Sequence, residues 1–355
     1  MTQPKPVLCL GEALIDVVIR DDTRSEHVGG SPLNVACVIT SLGRPALIGA
    51  WWGRDDHGKL IEDYAADHGV GIVPGSDGAA KTSLAYARLN DAGSAEYEFD
   101  LSWEVPPLPA PEAIAHLHTG SLAATLEPGG TQVLEAARAM SQVGTVSYDP
   151  NARPAIMESP DKSRGRVEEL VALADVVKVS DEDLEWLYGK STPVEEVMRQ
   201  WLKLGPSLVI VTRGPWGIYV KLASARDMLV IDPLTTDVVD TVGAGDSFMG
   251  GLISGLLDAD LLGSREAKGR LRSAGWDDIM PALHRATITS GLTVQRAGAY
   301  APTHEEVAAV KAKDLRLACP SVDGEIVQSS SFSDWTISPS AFFFAHFSRP
   351  RCTIS

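Results

Sequence analysis

A chain of 355 residues is long enough for one large α/β domain or two average ones, with an ample core. Hydrophobic residues make up 44% and charged residues 22%, a globular composition that excludes wholesale disorder and fibrous repeats. Lys and Arg number 31 against 47 Asp and Glu, and the resulting formal charge of −16 repels phosphate backbones and anionic lipid, which argues against nucleic acid or membrane as a partner.

The opening MTQPKPVLCLGEALIDVV has a short apolar stretch broken by Glu12 and Asp16, which reads as a strand and not as a signal peptide. No apolar run reaches the length of a bilayer span, and Cys9, Cys37, Cys319 and Cys352 form no CxxC pair. A reducing, cytoplasmic setting is the expectation, with Cys9 and Cys37 as small core residues. Strand candidates at residues 7–10, 46–50, 115–118, 145–148, 176–179 and 208–212 alternate with amphipathic stretches at 34–42, 60–68, 131–140 and 194–203. That succession predicts a mostly parallel sheet covered on both faces.

Two segments break the rhythm. Residues 16–20 lead through Asp21-Asp22 to a run ending at Val28, and residues 83–89 lead through a turn at 90–93 to 95–99. Both read as hairpins without a crossover helix, hence a small antiparallel sheet placed as a lid over a crevice. Residues 319–355 show clustered Ser and aromatics without period, including four phenylalanines in 341–347. They read as an extension, disordered or laid on the surface by those phenylalanines.

The most informative stretch is DTVGAGDSFMGG at 240–251, where small residues precede an aspartate and Phe248, Leu252 and Leu256 follow at intervals of four. A small-residue turn opening a helix leaves N–H groups at a positive dipole end, a site for an anion. If the anion is a nucleotide γ-phosphate, Asp246 is placed to take a proton from an attacking hydroxyl; otherwise it is an acidic cap. Gly29 and Gly30 precede a second helix carrying Asn34, which suits either close ligand approach or an ordinary capping turn. Asp16, read at the end of the first strand, is either a sugar-hydroxyl acceptor or a surface carboxylate. Neither GxGxxG nor GxxxxGK[ST] follows a strand, which demotes dinucleotide oxidoreductases and P-loop ATPases.

GGSPLNVA followed by DTVGAGDSFMGGL resembles the ribokinase/PfkB family of carbohydrate kinases in its fructokinase-like branch, and LCLGEALIDVV, GSLAATLEPGG, YDPNARP, KVSDEDLEWLYG and VIVTRGPWGIYV extend the likeness from about residue 7 to about 310. The resemblance implies a ribokinase-like three-layer α/β sandwich, mostly parallel, with a small antiparallel β lid; the kinase domain would be 1–318, its lid 16–30 and 81–104. It makes Asp246 the catalytic base and the backbone of Gly243, Ala244 and Gly245 the anion hole. Asp16, Gly29, Gly30 and Asn34, with Glu127 and Arg153, match sugar-side positions. Lys178, Ser180, Thr212, Gly214, Gly217, Ala286 and Ser290 match the nucleotide side. Asp240, Val242, Thr293, Arg296 and Gly298 match a monovalent-cation site for K+.

Two departures stand out. Relatives carry Asn and Glu three apart where water is organised around Mg²⁺, whereas this chain has Ser180 and Asp183, with Glu182 adjacent. No cation occurs in residues 97–103, which weakens the case for an acidic sugar, although Arg153 is available to a carboxylate or phosphate. The implied activity is ATP- and Mg²⁺-dependent phosphorylation of a small-molecule sugar, fructose first, at a primary hydroxyl, by a homodimer joined through the lid. 2-Keto-3-deoxygluconate or another ketose is the alternative substrate, and a non-catalytic sugar sensor the alternative class.

Overall fold

Strands β1 (Val7–Leu10), β2 (Leu14–Arg20) and β3 (Thr23–Gly29) precede helix α1 (Ser31–Ser41), and β4 (Ala46–Gly49), α2 (Asp56–Asp67), β5 (Gly71–Ile72), β6 (Leu84–Leu89) and β7 (Ala95–Asp100) follow. The middle of the chain runs β8 (His116–Gly120), α3 (Gly129–Val143), β9 (Thr145–Asp149), α4 (Pro160–Leu173), β10 (Val176–Ser180), α5 (Asp181–Tyr188) and α6 (Val194–Leu204). The remainder is β11 (Leu208–Thr212), β12 (Ile218–Leu222), β13 (Met228–Ile231), α7 (Ala244–Asp258), α8 (Arg265–Ser273), α9 (Trp276–Thr293), α10 (His304–Lys313) and β14 (Glu325–Val327). This computed structural model describes residues 4–20, 23–89, 95–157, 159–234, 236–313 and 325–327. The hairpin turns at 21–22 and 90–94, and the phenylalanine-rich run of the extension, lie outside the described residues.

Among the described residues the main sheet has ten strands in the order β14-β13-β12-β11-β10-β9-β8-β1-β4-β5. Pairing is parallel from β5 through β11 and antiparallel from β11 out to β14. Alternate strand residues feed two cores. Cys9, Ile48, Val176 and Ile210 pack with Leu33, Ile61, Phe248 and Ile279 on one face. Leu8, Leu10, Val177 and Val209 pack with Val133, Val167, Leu184 and Trp201 on the other. A sheet buried on both faces explains why its strands read as apolar runs. Cys9 and Cys37 are buried in the first core, and burial raises both thiols, that of Cys37 to about 12, which suits inert core residues.

The lid is a separate four-stranded sheet, β3-β2-β6-β7. Its two hairpins are antiparallel as expected, and β2 joins β6 in parallel register, Asp16 standing between His27 and Ala85. Ile15 and Val17 are buried in the core shared with α2, so the lid is rooted and not loosely hung. Asp55 ties the root by accepting hydrogen bonds from the Thr82 hydroxyl at 2.5 Å and its N–H at 2.8 Å.

Beneath the crevice, the His116 ring is hydrogen-bonded to the hydroxyls of Thr145 and Ser147, both at 2.8 Å, and His118 to Ser147 at 2.9 Å. Burial pushes both histidines down to about 3. An unfolded histidine titrates near ~6.5, so below that pH the unfolded chain binds more protons and the native state loses stability as pH falls. His116→Gln is expected to be destabilised by about 1–3 kcal/mol at pH 7.5, and its deficit relative to wild type should narrow as pH falls from 6.5 towards 4. Urea denaturation across that range checks it, and a constant deficit contradicts it.

Candidate active site

Helix α7 begins where the sequence expects. Gly243 is its N-cap in the left-handed conformation, φ 73°, and a Cβ there would strike Ala299 at 2.6 Å, so only glycine fits the turn. Among the described residues the Ala244 N–H donates to the Thr241 carbonyl at 3.2 Å, whereas those of Gly245 and Asp246 have no backbone partner. Ala244 is thus committed within the turn, while the N–H groups of Gly243, Gly245 and Asp246 have no backbone partner among the described residues.

Asp246 is buried, 8% exposed, in the first turn of α7. Its Oδ1 accepts a hydrogen bond from the Ser31 hydroxyl at 2.6 Å and its Oδ2 from the Asn34 side-chain amide at 2.8 Å. Both donors belong to α1, whose N-terminus is packed beside that of α7. Asn34 Oδ1 is buried without a partner, an acceptor with spare capacity beside Asp246. Gly30, at φ 124°, lets the chain pass Glu12, whose carbonyl a Cβ would strike. Glu12 in turn bridges the Ser31 N–H at 3.3 Å and the Ala123 N–H at 3.4 Å. Burial pushes its carboxyl up to about 7, against those N–H bonds, Ser121 and the Arg153 charge.

Asp16 does not lie at the end of the first strand. It belongs to β2, on the lid, and faces the open side while its neighbours Ile15 and Val17 are buried. Its carboxylate lies against Gly29, where a Cβ would collide with Oδ2, and Gly30 and Asn34 follow at the start of α1. Desolvation raises the Asp16 carboxyl, opposed by the charges of Arg153 and His27. The Arg153 charge thus reaches both Asp16 and Glu12. Glu127 is placed differently: its oxygens accept from the Thr131 N–H and hydroxyl and from Arg166, which commits it to the start of α3.

Lys178 is buried and pairs with Asp149 at 2.6 Å, at the end of the parallel strands where open α/β sheets bind ligands. A Cβ on Gly245 would lie 2.8 Å from Lys178 Nζ, so this ammonium stands directly behind the anion hole. Desolvation would depress it, but Asp149 and, further off, Asp246 and Asp183 more than offset that and raise it. Asp183 accepts from the Ala152 N–H at 3.0 Å and, in a capping box, from the Ser180 N–H at 3.3 Å. Its charge is felt by Asp149 and Lys178, whereas Glu182 is exposed on the outer side of α5. Of the two carboxylates, Asp183 is the one whose charge reaches the Asp149–Lys178 pair.

The model of the pfkB family of carbohydrate kinases matches residues 5–306. The chain belongs to that family. It is a phosphotransferase acting on a sugar hydroxyl. It is 32% identical over 335 residues to a protein named probable fructokinase-6, chloroplastic, from Arabidopsis thaliana, covering 86% of this chain and 82% of the relative. Among solved structures, fructokinase of Xylella fastidiosa with bound ATP superposes with a TM-score of 0.74 at 24% identity, covering 87% of this chain and 98% of that one. A double mutant of Vibrio cholerae fructokinase, in a form with fructose, ADP and potassium ion bound, gives 0.70 at 25% identity, covering 87% and 99%.

On the far side of the carbohydrate kinase crevice, Thr212 ends β11, and Gly214 and Gly217 turn the chain with φ of 50° and 76°. Trp216, 71% exposed in the same turn, offers a ring face there. Ala286 needs correction: it is fully buried against α7, where Gly251 meets it, so its side chain has no surface for a ligand. Its helix, α9, also carries Thr287, whose hydroxyl is buried without a partner, and half-buried Ser290, three apart. Asp240 accepts from the N–H of Val242 at 3.0 Å and of Gly298 at 2.8 Å, which hold it below the usual carboxylate range and clamp the loop at 240–242 to that at 293–298. The Thr293 hydroxyl is engaged by Ser247, Thr289 and Tyr300, and Arg296 pairs with Glu306, so in that set only Asp240 and main-chain carbonyls can face a cation.

Sequence reading did not single out Ser31, Thr287 or Asp149. Ser31 stands inside the GGSPLN motif and Asp149 inside YDPNARP, so both were within reach of it.

Proposed function

We propose that this kinase transfers the γ-phosphate of ATP to a primary hydroxyl of fructose. The observation that carries the reading is the buried Asp246, fixed by Ser31 and Asn34 at the mouth of a helix N-terminus whose N–H groups are open. As the sugar oxygen bonds to the γ-phosphorus, the bond from phosphorus to the β–γ bridging oxygen breaks, ADP departs, and the hydroxyl proton passes to Asp246. The N–H groups of Gly245 and Asp246, with Lys178 behind them, stabilise charge on the transferring group. Asp16 and the unpartnered Asn34 Oδ1 accept from sugar hydroxyls and hold the reacting one in line.

Asp149 Oδ1 is buried without a partner and Asp183 lies nearby, a donor set that fits water around a hard divalent ion. Mg²⁺ bound there with the nucleotide would neutralise charge on the β- and γ-phosphates. A K+ ion beside the hole would rest on Asp240 and main-chain carbonyls. Arg153, whose charge reaches Asp16, supports 2-keto-3-deoxygluconate as a second reading. ADP release measured over a sugar panel decides: fructose turning over fastest supports the first reading, the keto acid the second, and no sugar-dependent release contradicts both. Among the described residues no helix is long and apolar enough to cross a membrane.

The lid leaves the edges of β3 and β7 unpaired in a single described chain, which supports a second copy covering them. Light scattering at micromolar concentration should return a dimer mass, and a strictly monomeric mass removes that part of the proposal.

A further inference from the structure

The Asp246 carboxylate has two side-chain donors. Asn34 has a second polar atom, an Oδ1 that is buried without a partner. Ser31 has one. It is 6% exposed, its hydroxyl donates to Asp246 Oδ1 across 215 positions of sequence, and its own N–H is held by Glu12. Gly30, the residue that sets the direction in which Ser31 leaves the turn, is itself pressed against the Glu12 carbonyl. Ser31 therefore cannot swing away without breaking the contact of the β1 end with the start of α1.

Resting on the assignment of Asp246 as base, we infer that Ser31 is a positioning residue for phosphoryl transfer: its hydroxyl, on a backbone anchored through Glu12, fixes the plane of the Asp246 carboxylate. A carboxylate free to rotate on α7 would present its lone pair to the sugar hydroxyl in only part of its orientations, and small misplacements of a reacting group are costly in rate. The charged groups whose fields reach Asp246 are Lys178, behind the hole, and Asp149, its partner. Ser31 is the uncharged contact that can be removed without disturbing that pair.

Ser31→Ala and Ser31→Thr test this beside Asp246→Asn, with kcat and both KM values measured at about pH 7.5 and melting temperature recorded for each. Ser31→Ala should lose about 10-fold or more in kcat while keeping the ATP and sugar KM within about threefold. Ser31→Thr, which keeps a hydroxyl, should recover most of the kcat. An unchanged kcat in Ser31→Ala, or a loss that falls only on KM and melting temperature, overturns the inference. Wild-type turnover in Asp246→Asn would instead overturn the assignment of the base itself, so the two failures are told apart.

Discussion

Asp246→Asn is expected to lower kcat by about 10²–10⁴-fold while leaving ATP affinity nearly unchanged. The substitution is nearly isosteric, and Ser31 can rotate its hydroxyl to accept from the new amide, so the packing of α1 on α7 survives. The N–H donors of Gly245 and Asp246 and the ammonium of Lys178 are untouched, so the phosphates keep their site. What is lost is the acceptor for the sugar proton. Steady-state kinetics at saturating sugar with calorimetry of ATP binding checks both halves. Near wild-type turnover sinks the role given to Asp246.

Asp16→Ala should raise the KM for the sugar by about 10- to 100-fold, the worth of about two hydrogen bonds between hydroxyls and a charged acceptor in a closed site. The side chain faces the open side of β2 and holds no core contact, so the lid should fold with Ile15 and Val17 still buried. ATP binding measured without sugar should hardly change. Partial desolvation raises this carboxyl against the charges of Arg153 and His27, and its protonated form has one acceptor fewer, so the wild-type sugar KM should also climb on the acid side at a higher pH than for a free aspartate. If ATP affinity falls and sugar affinity does not, the two ligands have been placed the wrong way round.

Much of this arrangement was legible in the residues. The alternation of apolar runs with amphipathic stretches gave the parallel part of the sheet, because burial on both faces imposes continuous apolar strands. The hairpins stood out by the absence of a crossover helix. Asp16 was read both at the end of the first strand and at the start of the lid hairpin, and the second reading holds: three residues alone, Gly11 to Ala13, separate β1 from β2. The antiparallel strands β12 and β13 are not among the six runs read from the sequence, since they follow a glycine-rich turn and no helix intervenes. Ala286 shares the inward stripe of Ile279 and Leu283, so helical period alone could have assigned it to the core and pointed to Thr287 and Ser290 instead. The hydrogen bond of Ser31 to Asp246 was out of reach. It joins residues 215 apart, and nothing local in GGSPLN distinguishes a serine that starts a helix from one that holds a base.

Phosphoryl transfer itself can be watched directly by ³¹P NMR of the protein with ATP, Mg²⁺ and fructose. The expected result is loss of the γ-phosphate resonance matched by ADP and by a phosphomonoester coupled to methylene protons of the sugar, the mark of a primary hydroxyl. Release of inorganic phosphate without a sugar ester, or intact ATP in the presence of every sugar the protein binds, would contradict a base and anion hole built to act on one γ-phosphate.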